Sequence, residues 1–155
     1  MGVTLARKAL KGGSASDGDT VFWLGEPLGE KVDTFVAIAG AHQGIAACYS
    51  MHTSLNCNDV SGFFPGTLVA GEVVGESSFL QDINDESGYE GQFRYSVWSA
   101  IDEVIGFACQ VWGRNTCLLP EHTAGFRFDT LPYHHLGLRD ETVNLQYNLV
   151  TAQQQ

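Results

Sequence analysis

One run of residues constrains this chain more than any other. Val32-Asp33-Thr34-Phe35-Val36-Ala37-Ile38-Ala39 is rich in strand formers and stays apolar after Asp33. A strand with one wet face alternates polar and apolar residues. A strand that does not alternate is covered on both faces, and such strands belong to parallel sheets flanked by helices. Phe93-Arg94-Tyr95-Ser96-Val97-Trp98-Ser99 reads as a second strand. Phe126-Arg127-Phe128-Asp129-Thr130-Leu131 reads as a third, with Phe126, Phe128 and Thr130 on one face. Helices are expected over residues 3–10, 72–84 and 140–152. The first has Val3, Leu5, Ala6, Ala9 and Leu10 as its apolar positions, with Arg7 and Lys8 between them, and Gly12-Gly13 stops it. The second presents Val73, Val74, Phe79, Leu80 and Ile83, and the third Val143, Leu145, Tyr147, Leu149 and Val150. Residues 14–19 read as a polar loop and residues 40–71 as a long irregular stretch. Strands alternating with helices give an α/β fold with a parallel sheet. Three strands make a thin domain, and this one opens on a helix where a parallel sheet normally opens on a strand. The chain therefore reads as the later portion of a larger α/β fold.

Charge removes two classes of partner. Eight Lys and Arg stand against eighteen Asp and Glu, a formal net charge of −10. Nucleic acids and anionic membrane surfaces are bound through clustered Lys and Arg, so neither is expected. No apolar run approaches the roughly 18 residues of a membrane span. The opening Met1-Gly2-Val3-Thr4-Leu5-Ala6-Arg7-Lys8 carries its positive charges after its apolar residues and leads into no long apolar run, so it does not read as a secretory leader. Either the protein is intracellular or its native start lies elsewhere. The four cysteines form two close pairs in sequence, Cys48/Cys57 and Cys109/Cys117. Three connectivities are open to them, the local pairing being preferred, with four buried thiols as the alternative. Zinc is disfavoured because no Cys-x-x-Cys occurs. Two short-range disulfides favour an oxidising compartment.

Functional groups of open parallel sheets collect at the carboxyl ends of the strands. The second strand runs into Ser99-Ala100-Ile101-Asp102-Glu103, and the third into Leu131-Pro132-Tyr133-His134-His135-Leu136-Gly137. A carboxylate followed about thirty residues later by a histidine, each just past a strand, suits an acid–base pair: the Asp holds the imidazole Nδ1–H, and Nε2 takes a proton from a nucleophile. The plainer reading is a solvated turn aspartate, with one exposed and one core histidine. The nucleophile is the difficulty. The Gly-x-Ser-x-Gly elbow of α/β-hydrolases is missing. Gly12-Gly13-Ser14-Ala15-Ser16 has Ser16 where the second glycine belongs, and Gly75-Glu76-Ser77-Ser78-Phe79 has Phe79 there. Met1-Gly2 followed by a helix is, however, what remains of such an elbow cut immediately after its serine. The order would then be Ser, Asp102, His135, as in α/β-hydrolases.

With these residues in view, five blocks resemble the class 2 lipase family, small α/β-hydrolases that include nematode-type secreted lipases. They are Met1-Gly2-Val3-Thr4-Leu5-Ala6-Arg7; Val32 to Ala39 continuing as Gly40-Ala41-His42-Gln43-Gly44; Phe79-Leu80-Gln81-Asp82-Ile83-Asn84; Trp98-Ser99 with Asp102-Glu103-Val104-Ile105-Gly106; and His135-Leu136-Gly137-Leu138. The ordered set is specific and spans nearly the whole chain, although each block alone is weak. The resemblance implies one partial α/β-hydrolase domain over residues 1–155 that begins just after the nucleophile. It implies hydrolysis of lipid or other carboxylic esters, with Asp102 as catalytic acid and His135, in preference to His134, as base. The backbone N–H of Met1 matches half of the oxyanion hole. No metal or cofactor is required. Cys48, Cys57, Cys109 and Cys117 fall where secreted members carry paired cysteines, and secretion is expected. Phe63-Phe64 and Ile105-Gly106-Phe107 are candidates to hold an acyl chain, or else ordinary packing residues. The serine, the second oxyanion donor and the strands beside residues 32–39 are the departures. They leave the fragment inactive alone, poorly folded alone, and partnered by an N-terminal half. The competing reading is a truncated, non-catalytic protein acting through a partner on the exposed sheet edge. A small disulfide-stapled binding module is a weaker third.

Overall fold

The computed structural model describes residues 1–17, 19–51 and 53–152. In chain order the elements are α1 (Gly2–Lys11), a hairpin of β1 (Ser14–Asp17) and β2 (Thr20–Trp23), β3 (Thr34–Ile38), and a second hairpin of β4 (Thr67–Val69) and β5 (Glu72–Val74). Then follow α2 (Ser78–Asn84), β6 (Phe93–Ser99), a short hairpin of β7 (Gln110–Val111) and β8 (Arg114–Asn115), β9 (Ala124–Phe128), α3 (His135–Glu141) and α4 (Val143–Thr151). Strands β3, β6 and β9 make a parallel sheet in the order β3-β6-β9. The fold is mixed α/β with a parallel sheet and helices, consistent with a portion of an α/β-hydrolase.

The strand covered on both faces is β6, not β3. Tyr95, Ser96, Val97, Trp98 and Ser99 are all buried, whereas β3 has β6 on one side only and buries just Ala37 completely. Polar residues in β6 disguise this in the sequence. Ser96 Oγ accepts the Leu119 N–H at 2.9 Å and Ser99 Oγ accepts the Ile101 N–H at 3.2 Å. Both hydroxyls satisfy backbone of the loops that follow, so they are buried at little cost. Around β6 the core gathers Leu80 and Ile83 of α2, Ile105, Leu138 of α3 and Leu149 of α4.

Four expected elements are corrected. Residues 14–19 are not simply a loop, since Ser14–Asp17 pairs with Thr20–Trp23. Residues 72–84 are not one helix. Glu72–Val74 is a strand joined to β4 through Ala70-Gly71, both at positive φ (52° and 91°), as a two-residue hairpin turn requires. The helix starts only where Ser77 accepts the Leu80 N–H at 3.2 Å and caps it. The third strand starts two residues and ends three residues earlier than expected, at Ala124–Phe128, and Thr130 is exposed. The closing helix divides at Thr142 into α3 and α4, and of its five expected apolar contacts Val143, Tyr147 and Val150 are more than half exposed.

The first helix sits where it is expected but is turned over. Its buried residues are Thr4, Arg7 and Lys8, while Leu5 is 54 % exposed. Lys8 and Lys11 close its last turn, where cations complement the helix dipole, and both pair with Asp82 of α2, Lys8 at 2.8 Å. Both local disulfides are present, Cys48–Cys57 and Cys109–Cys117, which removes the free-thiol alternative.

Candidate active site

Asp102 leaves the sheet two residues after Ala100 N–H has extended the β6–β9 ladder to Phe128 O at 2.8 Å. The side chain is 1 % exposed. Burying a carboxylate is tolerable only if its oxygens are met by donors, and here both are. Oδ1 accepts the N–H groups of Val104 (2.9 Å) and Ile105 (2.8 Å), so the loop folds back onto its own aspartate. Oδ2 lies 2.8 Å from Nδ1 of His135.

His135 is the first residue of α3, and its placement depends on a glycine. A Cβ on Gly137 would lie 1.8 Å from the Pro132 carbonyl oxygen, so only glycine lets the segment after β9 fold under the first turn of α3. The ring is 24 % exposed, with one edge on Asp102 and the other toward solvent. Glu103 next to Asp102 takes a different part. Its Oε2 accepts the His135 backbone N–H at 3.1 Å, and its Oε1 lies 3.6 Å from His134 Nδ1. That backbone N–H is the main reason the exposed Glu103 carboxyl is held below the usual range. The two adjacent histidines are thereby sorted: His135 goes to the buried Asp102, His134 to the exposed Glu103.

Met1 joins this group from the other end of the chain. It is the N-cap residue of α1, and its carbonyl accepts the Thr4 N–H (3.1 Å), the Leu5 N–H (3.2 Å) and the Thr4 hydroxyl (2.8 Å). Burial pulls the Met1 amine below its ordinary value, and the Asp102 carboxylate opposes that shift. The N-terminus of α1 therefore opens within electrostatic reach of the Asp102–His135 pair. The surroundings are apolar and open: Met1, Val104, Phe107, Leu131 and Leu136 are all more than half exposed. Of the residues expected to hold an acyl chain, only Phe107 is available, at 81 % exposure. Phe63, Phe64 and Ile105 are buried, Phe63 and Ile105 in the core. A cavity of about 680 Å³ lined by Leu5, Val21, Phe22 and Phe79 lies away from the pair.

With that geometry in hand, the comparison with known families is decisive. The family profile described as Lipase (class 2) matches residues 1–148. The chain belongs to the class 2 lipase family. No curated protein and no solved structure matches it. As a class 2 lipase it is an ester hydrolase by family, and its two disulfides are compatible with life outside the cell. Among the described residues, no helix is long and apolar enough to cross a membrane.

Sequence reasoning missed the polar cluster beneath α1. Arg7, Glu90 and His42 are each fully buried and lie in three separate segments. The visible signal was a cation in the middle of an apolar helix. Nothing in the sequence marks Glu90 as its counter-ion.

Proposed function

We propose that this class 2 lipase hydrolyses carboxylic esters by a Ser–Asp102–His135 mechanism, with the serine joined directly to Met1. Asp102 accepts the Nδ1–H of His135 and fixes the tautomer. Nε2 of His135 then takes the proton of the serine hydroxyl as it attacks the ester carbonyl, and passes it to the leaving alcohol. Asp102 stabilises the imidazolium formed in between. The Met1 backbone N–H, at the start of α1, is one donor to the tetrahedral oxyanion. The observation that carries this reading is the 2.8 Å contact between a fully buried aspartate and a histidine with its far edge in solvent. The electrostatic influence of Asp102 on the Met1 amine supports placing the serine one residue upstream. Exposed Val104, Phe107, Leu131 and Leu136 favour an ester with an apolar acyl group. Secretion fits the paired cysteines.

The test is to treat the native protein with a serine-directed alkyl phosphonate and map the adduct by intact mass and N-terminal peptides. The expected result is a labelled serine in a peptide that continues into Met1-Gly2-Val3, together with hydrolysis of p-nitrophenyl butyrate. A native chain of 16.8 kDa that starts at Met1 and takes no label would overturn the reading. It would point instead to a non-catalytic protein.

A further inference from the structure

The nitrogen of His135 that must meet a reactant is Nε2, and one hydrogen bond does not aim it. Asp102 Oδ2 holds Nδ1 at 2.8 Å, but a ring held at one atom can still pivot about that atom. The ring is carried by its own backbone. Nε2 is aimed only if the main chain of His135 is fixed as well.

The helix that His135 begins does not supply this. The N–H groups of a first helical turn have no partner inside the helix. His134 is the N-cap of α3, and among the described residues its side chain makes no cap hydrogen bond. The acceptor comes from Glu103, 32 residues earlier in the chain, whose Oε2 accepts the His135 N–H at 3.1 Å. That N–H holds the Glu103 carboxyl below the usual range, so at neutral pH it is purely an acceptor.

Adjacent residues reach one histidine from two directions because their loop is tied into a turn. Asp102 Oδ1 accepts the N–H groups of Val104 and Ile105, and the Asp102 carbonyl accepts the Gly106 N–H at 3.2 Å. Asp102 is thereby turned inward to the ring, and Glu103, 57 % exposed, outward to the main chain. The other Glu103 oxygen lies 3.6 Å from His134 Nδ1, which is too long for a hydrogen bond. That pair is exposed on both sides, and exposed pairs add little to stability. The hydrogen bond to His135 is the contact with a consequence for chemistry.

Resting on the ester-hydrolase reading, we propose that Glu103 is a positioning residue for the general base: Oε2 fixes the His135 main chain while Asp102 fixes its ring, and the two together aim Nε2. Glu103 touches neither ester nor serine. Without it Asp102 still accepts the Nδ1–H and keeps the tautomer, but the start of α3 can shift against Asp102.

Three variants of the native protein test this with p-nitrophenyl butyrate. Glu103→Ala removes the acceptor. A misplacement of about 1 Å can cost about 100-fold; with Asp102 still holding the ring, kcat is expected to fall about 10-fold while KM stays nearly unchanged. Glu103→Gln keeps an oxygen for the His135 N–H without the charge, and most of kcat is restored. His134→Ala removes only the looser contact and is expected to leave kcat within about two-fold. A merely structural Glu103 would lower the melting temperature of Glu103→Ala and leave the kcat of the folded protein at the wild-type value, which overturns the proposal. Equal losses in Glu103→Ala and Glu103→Gln also overturn it, since charge and not the hydrogen bond would then matter. A His134→Ala protein as slow as Glu103→Ala does the same. Should Glu103→Ala not fold, amide hydrogen exchange of the wild type decides: the His135 N–H must be protected, and exchange at the rate of an unstructured peptide refutes the idea. A wild-type protein without any esterase activity brings down the ester-hydrolase reading and this proposal with it. An active wild type whose Glu103→Ala variant is equally active brings down this proposal alone.

Discussion

Asp102 and Glu90 are both carboxylates shut away from water, at 1 % and 0 % exposure, and each meets one side-chain nitrogen at short range. Asp102 Oδ2 is 2.8 Å from His135 Nδ1, and Glu90 Oε1 is 2.7 Å from Arg7 Nε. The resemblance ends there. Both oxygens of Asp102 are satisfied, and its partner has a second nitrogen facing solvent. Among the described residues the other oxygen of Glu90 has no hydrogen-bond partner, and Arg7 directs three further donors at Ile83, Asn84 and His42 inside the protein. One pair has a route for a proton to leave. The other is closed, with a permanent cation that exchanges no protons. Burial and a short ion pair therefore do not mark a catalytic group. What matters is whether the partner can titrate and reach a reactant.

Neutralising each carboxylate separates the two most sharply. Asp102→Asn keeps an oxygen for the Val104 and Ile105 N–H groups, so thermal unfolding should change little. Its amide cannot hold His135 in the required tautomer, and kcat on p-nitrophenyl butyrate should fall by about 10⁴-fold. An Asp102→Asn protein that keeps more than a tenth of wild-type kcat would remove Asp102 from the mechanism.

Arg7→Met should do the reverse of this, acting first on stability. It removes one partner of a buried ion pair and strands Glu90, a change that typically costs about 3–5 kcal/mol. Adding Glu90→Gln should return part of that loss, because a neutral amide is cheaper to leave unpaired. Urea unfolding of the single and double variants measures it, and additive losses would contradict the pairing.

The contrast also explains what was legible beforehand. The contact between Asp102 and His135 could be anticipated because the ends of parallel strands bring their loops together, and β6 occupies the residues its pattern indicates. The Arg7–Glu90–His42 cluster was hidden because its members lie 83 and 35 residues apart along the chain. The periodicity of α1 even pointed the wrong way: it marks Leu5 as inward, whereas Arg7 turns toward the buried polar cluster and Lys8 toward Asp82. The β4–β5 hairpin was lost to the apolar Val73-Val74, which fit a helix as well as a strand. The left-handed Ala70-Gly71 turn decides between them. Ser77, with its cap to Leu80, was a readable helix start that the longer apolar pattern overrode.

Acid should bear on the closed cluster. An unfolded histidine takes up its proton near pH ~6.5, whereas burial keeps His42 neutral well below that. Between those points the unfolded chain binds more protons than the folded one. Stability from this group is thus complete above about pH 6.5 and declines as pH falls, by at most about 1.4 kcal/mol per pH unit. Unfolding of wild type and His42→Gln from pH 7.5 to 5 checks the sign. The wild-type curve should fall more steeply, and parallel curves would mean that His42 is protonated in the fold.

The smallest effect is expected at the rim of the open site, and it bears on what the site accepts. Phe107 lies 81 % exposed between Gly106 (φ 120°) and Ala108 (φ 59°), on the loop that begins at Asp102 and is tied down by Cys109–Cys117. The loop geometry is set by the glycine and the disulfide, not by the ring, so Phe107→Ser should shift stability by no more than about 0.5 kcal/mol. An exposed aromatic on the loop that follows Asp102 has apolar area to offer an acyl chain. Losing the contact of two or three methylenes, at about 0.8 kcal/mol each when fully buried, and less here because the site is open, predicts a rise in KM of a few fold for p-nitrophenyl octanoate and almost none for the acetate. Equal KM changes for both esters would show that Phe107 shapes the loop around Asp102 instead of contacting the chain of the substrate. In that case the open site owes its selectivity to Leu131 and Leu136 on the histidine side.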